Sequence, residues 1–209
     1  MNIPLPTEPY RSQLARWPQE GQHILAHYDV DSVIVYQAYR PAIGEWAIRN
    51  GHLGGPDFSF KRMSWIKPNF LWMMYRSGWG TKEGQEITLG LRLRRPFFEH
   101  VVRSAVPSTF NAATHRFATR EDWQAAVGAS EVRLQWDPDH APSGAKVERR
   151  AIQLGLRGAT LAAMAKSELL EVIDMTAFVN AQRAFAQPLN PLLETPAESP
   201  LLVSAQEGN

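Results

Sequence analysis

Residues Phe58 to Lys82 read FSFKRMSWIKPNFLWMMYRSGWGTK and combine Trp65, Trp72 and Trp79 with Lys61, Arg62, Lys67, Arg76 and Lys82, without one acid. Such a mixture suits a pocket for a flat, anionic ligand, because aromatic faces stack on rings while guanidinium and ammonium groups meet phosphates or carboxylates. Pro68 is tolerated in a first helical turn, and Phe70, Met73, Met74 and Ser77 follow at helical spacing until Gly78. A helix this apolar must be buried nearly all round, so Phe70, Trp72, Met73 and Met74 are read as core. The ends of the segment carry the chemistry: Arg62, Ser64, Trp65 and Lys67 on entry, Arg76 and Trp79 on exit. Lys67 would stand at a helix N-terminus, where a cation opposes the dipole and calls for an anionic partner.

Other reactive patterns are sparse. His23 and His27 are spaced i, i+4, but no third ligand follows at a spacing suited to a metal. No Gly-x-Ser-x-Gly is present, so a serine hydrolase has no support. Gly51-x-x-Gly54-Gly55 and Gly78-x-Gly80 lack the strand–loop–helix context of a phosphate loop. Arg92 and Arg94 share the polar face of one alternating run, and Arg133, Gln135 and Asp137 that of another. If those strands are neighbours, they form one basic surface suited to RNA or nucleotide.

The elements that must position these groups follow from periodicity. Ser32–Tyr36 is an apolar β-branched run without alternation, expected as a central strand buried on both faces. Pro41 opens a short helix that Asn50-Gly51 stops. A short strand is expected over 63–66, and Glu86–Arg94 alternates strictly. Pro96 starts a helix ended by Pro107, and Thr119-x-x-Asp122 resembles a capping box for a helix over 120–127. Alternation returns over 131–136 and 150–156. A helix over 159–167, a strand over 169–173 and a helix over 177–186 complete the unit. Strands and helices mix without regular βαβ spacing, which predicts an α+β domain with a mixed, mostly antiparallel sheet. Pro-rich composition predicts a surface arm over 1–21 and a flexible tail over 187–209, flanking one domain over 22–186.

Composition narrows the classes of function. The 209 residues hold 22 Lys+Arg against 21 Asp+Glu, so no global field holds nucleic acid and any anion site must be local. The absence of cysteine excludes disulfides, thiolate catalysis and cysteine-ligated metal. The N-terminus lacks the apolar core of a signal peptide and no apolar run spans a bilayer, so a cytoplasmic protein is expected.

Two long runs, HYDVDSVIVYQAY (His27 to Tyr39) and the Phe58–Lys82 segment, resemble the signature of the domain-of-unknown-function family 4291. VRLQWDPD, AIQLGLRG and EVIDMT follow in that family's order, and the resemblance covers Gln22 to Thr176. Leu25 stands where such sequences often carry Arg. The order of elements is also similar to the front half of NAD-consuming ADP-ribosyltransferases. That similarity implies NAD as cofactor, with Tyr36, Gln37 and Tyr39 at the nicotinamide-side ribose. It further implies Ser64, Trp65 and Lys67 in the pocket, and Glu171, with Glu131 as alternative, as the late-strand acid. The His/Arg first-strand start, the Ser-Thr-Ser strand and the paired-Glu loop of that superfamily are absent in recognisable form. Three classes follow: an NAD-dependent transferase, a non-catalytic nucleotide- or RNA-binding module, and a scaffold whose Trp and Arg side chains form a protein interface.

Overall fold

The computed structural model describes residues 5–114, 116–187 and 190–203. The chain runs β1 (Thr7–Pro9), α1 (Tyr10–Leu14), β2 (Gly21–Gln22), β3 (Leu25–Ala26), β4 (Ser32–Tyr39), α2 (Pro41–Asn50), β5 (Ser64–Ile66), α3 (Phe70–Ser77), β6 (Ile87–Arg94) and α4 (Arg95–Ser104). It continues through β7 (Val106–Pro107), α5 (Arg120–Ala129), β8 (Val132–His140), β9 (Lys146–Leu156), α6 (Gly158–Ala165), β10 (Leu169–Asp174), α7 (Thr176–Arg183), β11 (Glu194–Pro196) and β12 (Ser199–Pro200). This is an α+β domain whose longer strands pair antiparallel, and among the described residues no helix is long and apolar enough to cross a membrane.

Two sheets form the frame. One has the order β10-β6-β4; the other runs β2-β9-β8-β7 and adds β5 on β9. The central strand of the first sheet is β6, not β4 as its apolar run suggested. β4 is apolar because both of its faces are covered: Val33 and Val35 enter one cluster with Leu89, Leu91 and Phe98, and Ile34 and Tyr36 enter a second with Phe70, Met73 and Phe178. On the edge of β4 away from β6, Tyr36 bridges to Lys67 through paired main-chain bonds, Tyr36 N–H to Lys67 O at 2.7 Å and Lys67 N–H to Tyr36 O at 3.3 Å. That bridge links the first sheet to the strand that carries Trp65.

Local chemistry accounts for the helix ends. Gly51 stops α2 and Gly78 stops α3, both left-handed, which glycine adopts without steric cost. The side chain of Asn69, rather than Pro68, starts α3 by accepting the Trp72 N–H at 2.7 Å. Thr119 and Asp122 close a full capping box on α5.

The terminal segments differ from their Pro-rich reading. Residues 5–21 include a strand and a helix and bury Leu5, Tyr10, Gln13 and Trp17. In the described part of the expected tail, β11 pairs with β1 and β12 with β3, and Leu193, Thr195, Glu198 and Leu201 are buried. Residues 188–189 and 204–209 lie outside the described residues. Proline without an N–H is tolerated in short edge strands, and the two termini satisfy each other. The Gln13 amide donates to Thr195 Oγ1 at 2.8 Å and Pro196 O at 3.0 Å, and its oxygen accepts the Glu198 N–H at 2.7 Å.

Candidate ligand-binding cleft

A cleft of about 800 Å³ opens beside the seam between the two sheets. Its walls come from the end of β4 with the following turn, the approach to and strand of β5, α3, the loop 83–85, and the facing glutamines of β8 and β9. Seven of the residues singled out in the sequence, Gln37, Tyr39, Arg62, Ser64, Trp65, Lys67 and Arg76, line it.

Three of them form one hydrogen-bonded group. Gln37 Nε2 donates to Ser64 Oγ at 2.8 Å and to Trp65 O at 3.0 Å, and the Tyr39 hydroxyl donates to Gln37 Oε1 at 2.8 Å. Tyr39 also packs edge-on against Phe58, and burial pushes its phenol up to about 12 against the opposing hydrogen bonds and the charge of Arg62. Tyr39 is therefore a neutral donor at ordinary pH, fixed in orientation. Trp65 lies opposite Gly155, where an added β-carbon would meet Met63 Sδ at 2.5 Å and Trp65 at 3.0 Å. A glycine there leaves room for both side chains to approach β9 closely.

The charges are unevenly matched. Arg40 is paired with Asp57 at the rim. Lys67, Arg62 and Arg76 take part in no ion pair with a described residue, since all such pairs involve other groups. Arg62 and Arg76 are exposed, whereas Lys67 is only 4% exposed and its ammonium lies 5.9 Å over the Trp72 ring. Burial first, and then the charge of Arg76, bring its ammonium down to about 8, with Asp137 opposing. Asp137 stands on β8 between two lining residues: Gln135 Nε2 and Gln153 Nε2 each donate to one of its oxygens at 2.7 Å.

Other expected site residues are placed elsewhere. Tyr36 contributes its main chain to the seam, but its fully buried ring lies edge-on to Phe70 in the core. Trp79 is also core: its indole donates to Pro142 O at 3.0 Å and its ring meets Phe70. Glu171 pairs in register with Arg92, which also faces Ile34, so it shares the Ile34 face of the sheet and not the Gln37 face. There it accepts from Arg92 Nε at 2.9 Å, 43% exposed and outside the cleft. Glu131 caps α6 instead, accepting the Ala159 and Thr160 N–H groups and the Thr160 hydroxyl. These four positions do not join the cleft, because aromatic packing commits Tyr36 and Trp79, strand register Glu171 and helix capping Glu131.

The basic surface conditional on neighbouring strands does not form. β6 and β8 belong to different sheets, Arg92 and Arg94 meet Glu171 and Glu168, and buried Arg133 donates to the main-chain carbonyls of Val127, Ser130 and Val132. The residues missed as a set are Gln135, Asp137 and Gln153. Polar alternation marked the first two, but only the register that puts Gln135 opposite Gln153 brings the third. Among the described residues no group of three or more His, Asp or Glu comes together to hold a metal.

No curated protein and no solved structure matches the chain. A family model does, over residues 23–199, a span that holds every cleft residue named above together with the buried Glu198: the chain belongs to the family described as domain of unknown function DUF4291.

Proposed function

We propose that the cleft binds a nucleotide or a similarly planar, phosphate-bearing small molecule, with NAD the first ligand to test. The observation that carries this reading is the set of three cations, Lys67, Arg62 and Arg76, without ion-pair partners around a cleft walled by Trp65, Tyr39 and Phe58. A volume of about 800 Å³ suits a ligand of that size. In this proposal the phosphates sit by the cations, the flat ring lies on Trp65, and the Gln37–Ser64–Tyr39 group and the two glutamines supply directional hydrogen bonds to sugar hydroxyls.

One observation favours a second reading, glycosyl transfer from bound NAD. Departure of nicotinamide builds positive charge at the anomeric carbon, which a fixed carboxylate stabilises. Asp137, held by two amide donors beside the cleft, takes that role in the proposal. Glu171 and Glu131, bound elsewhere, do not.

Calorimetry with NAD, GTP and a short RNA tests the reading. Nucleotide binding weakened about tenfold or more by Lys67→Met supports it, since one charge-assisted contact contributes roughly 1.5–3 kcal/mol. Tight RNA binding without nucleotide binding would overturn it in favour of a nucleic-acid module. For the transferase reading, Asp137→Asn should abolish NAD turnover and retain NAD binding; equal loss of both would remove Asp137 from the chemistry.

A further inference from the structure

Lys67 differs from the other two cations of the cleft, since Arg62 and Arg76 are exposed guanidinium groups whereas Lys67 is buried. Its own setting disfavours a permanent charge. The side chain is 4% exposed, no carboxylate pairs with it, and Asp137, the acid whose charge acts on it, is committed to Gln135 and Gln153; the Trp72 ring face 5.9 Å away offers a cation only the weak attraction of its π-face. Burying an unpaired ammonium is costly and burying a neutral amine much less so, and a second cation at Arg76 pushes the same way. Both the N–H and the C=O of Lys67 bond to Tyr36, so the lysine stands on a rigid main-chain base in the wall of the cleft. A desolvated lysine beside another cation is the setting in which this side chain acts as a nucleophile.

We propose that Lys67 forms an imine with the carbonyl carbon of an anionic aldehyde or ketone whose phosphate or carboxylate is held by Arg76 and Arg62, a proposal that rests on the reading of the cleft as an anion site. The nitrogen lone pair attacks the carbonyl carbon, a C–N bond forms, and the carbonyl π pair moves to oxygen, which takes a proton from nitrogen. The resulting carbinolamine expels that hydroxyl with the second nitrogen proton as water, leaving C=N. Amine and carbonyl give imine and water with no oxidant or reductant.

Pyridoxal 5′-phosphate is a suitable probe, being a planar, phosphate-bearing aldehyde. The full chain is incubated with it near neutral pH, reduced with borohydride, digested and mapped by mass spectrometry, with Lys61, Lys82, Lys146 and Lys166 as internal controls. Lys67 should be modified about tenfold or more faster than the other four, because its neutral fraction is far larger than that of an ordinary lysine. Lys67→Met should lose that label, and Arg76→Ala should slow it. Modification spread evenly over the lysines, or a rate unchanged by Arg76→Ala, would overturn the proposal. Calorimetry on the same samples separates the two readings. Nucleotide binding with Lys67 unlabelled removes the imine and leaves the nucleotide site, whereas Lys67 labelling without nucleotide binding upholds the imine and removes the nucleotide.

Discussion

Glu198 offers the sharpest test of how the C-terminal strands are held. It is 2% exposed, its Oε1 accepts the Phe70 N–H at 2.8 Å, its Oε2 accepts from Asn69 Nδ2 at 3.3 Å, and the Tyr36 hydroxyl lies against it outside good hydrogen-bond geometry. Burial raises its carboxyl well above the usual range; Asp139 adds to the rise, and the Phe70 N–H, Arg149 and Tyr36 oppose it. The folded protein therefore keeps Glu198 protonated at pH values where the unfolded chain has released that proton. The stability it contributes is fully present below about pH 4.5, the ordinary value, and is lost progressively as pH rises toward the folded value. Over that window one proton is linked to unfolding, which corresponds to about 1.4 kcal/mol per pH unit. Glu198→Gln keeps an oxygen for the Phe70 N–H and cannot ionise. It should cost on the order of 1 kcal/mol at pH 4.5 through the imperfect match of two amide groups at Asn69. Above that pH the wild type should lose ground to the variant at about 1.4 kcal/mol per pH unit as pH rises toward the folded value, so that the two curves cross within the window. Urea unfolding of both proteins at several pH values reads this as a relative midpoint shift of roughly half to one and a half molar per pH unit. Using the difference between the two proteins cancels the contributions of His140 and Lys67, whose lowered values tilt the profile the opposite way. Parallel profiles, with a constant difference across the range, would refute a neutral buried Glu198.

Other consequences concern the scaffold of the cleft. Gly44→Ala should destabilise the domain by about 1–3 kcal/mol, since the new β-carbon would sit 2.4 Å from Ile87 Cγ2 where α2 packs on β6; an unchanged thermal midpoint would show that α2 can shift freely. Gly155→Ala should cost less, because Met63 is flexible, yet it should displace Trp65 and weaken any cleft ligand, with a changed tryptophan emission as readout. Asn69→Ala should lower stability by about 1 kcal/mol through the lost cap on α3, and by more once the contact to Glu198 is included. Denaturant midpoints that equal the wild type would show that the cap is dispensable.

The elements were legible where a local pattern decides them. Gly51 and Gly78 stop their helices, Thr119 and Asp122 cap α5, and alternation marks β6, β8 and β9. β8 outlasts its expected turn because Pro138 is accommodated at a register shift between Pro138 and His140. The entry half of the cleft was legible for the same reason: Arg62, Ser64, Trp65 and Lys67 fall within six residues, so their proximity needs no tertiary information.

What the sequence by itself determined is therefore the α+β class, the membership of the family and the basic aromatic segment that supplies one wall. The tertiary structure decided which groups face that wall. Register sent Glu171 to Arg92 and set Gln135 opposite Gln153; a helix N-terminus claimed Glu131; aromatic packing took Trp79 and the ring of Tyr36 into the core. It also turned the Pro-rich termini into paired strands, with Glu198 buried at the start of α3. The physical reason is common to all of these. Each side chain is committed by a partner far away along the chain, and spacing in sequence carries no information about which distant strand or helix end will come to lie beside it.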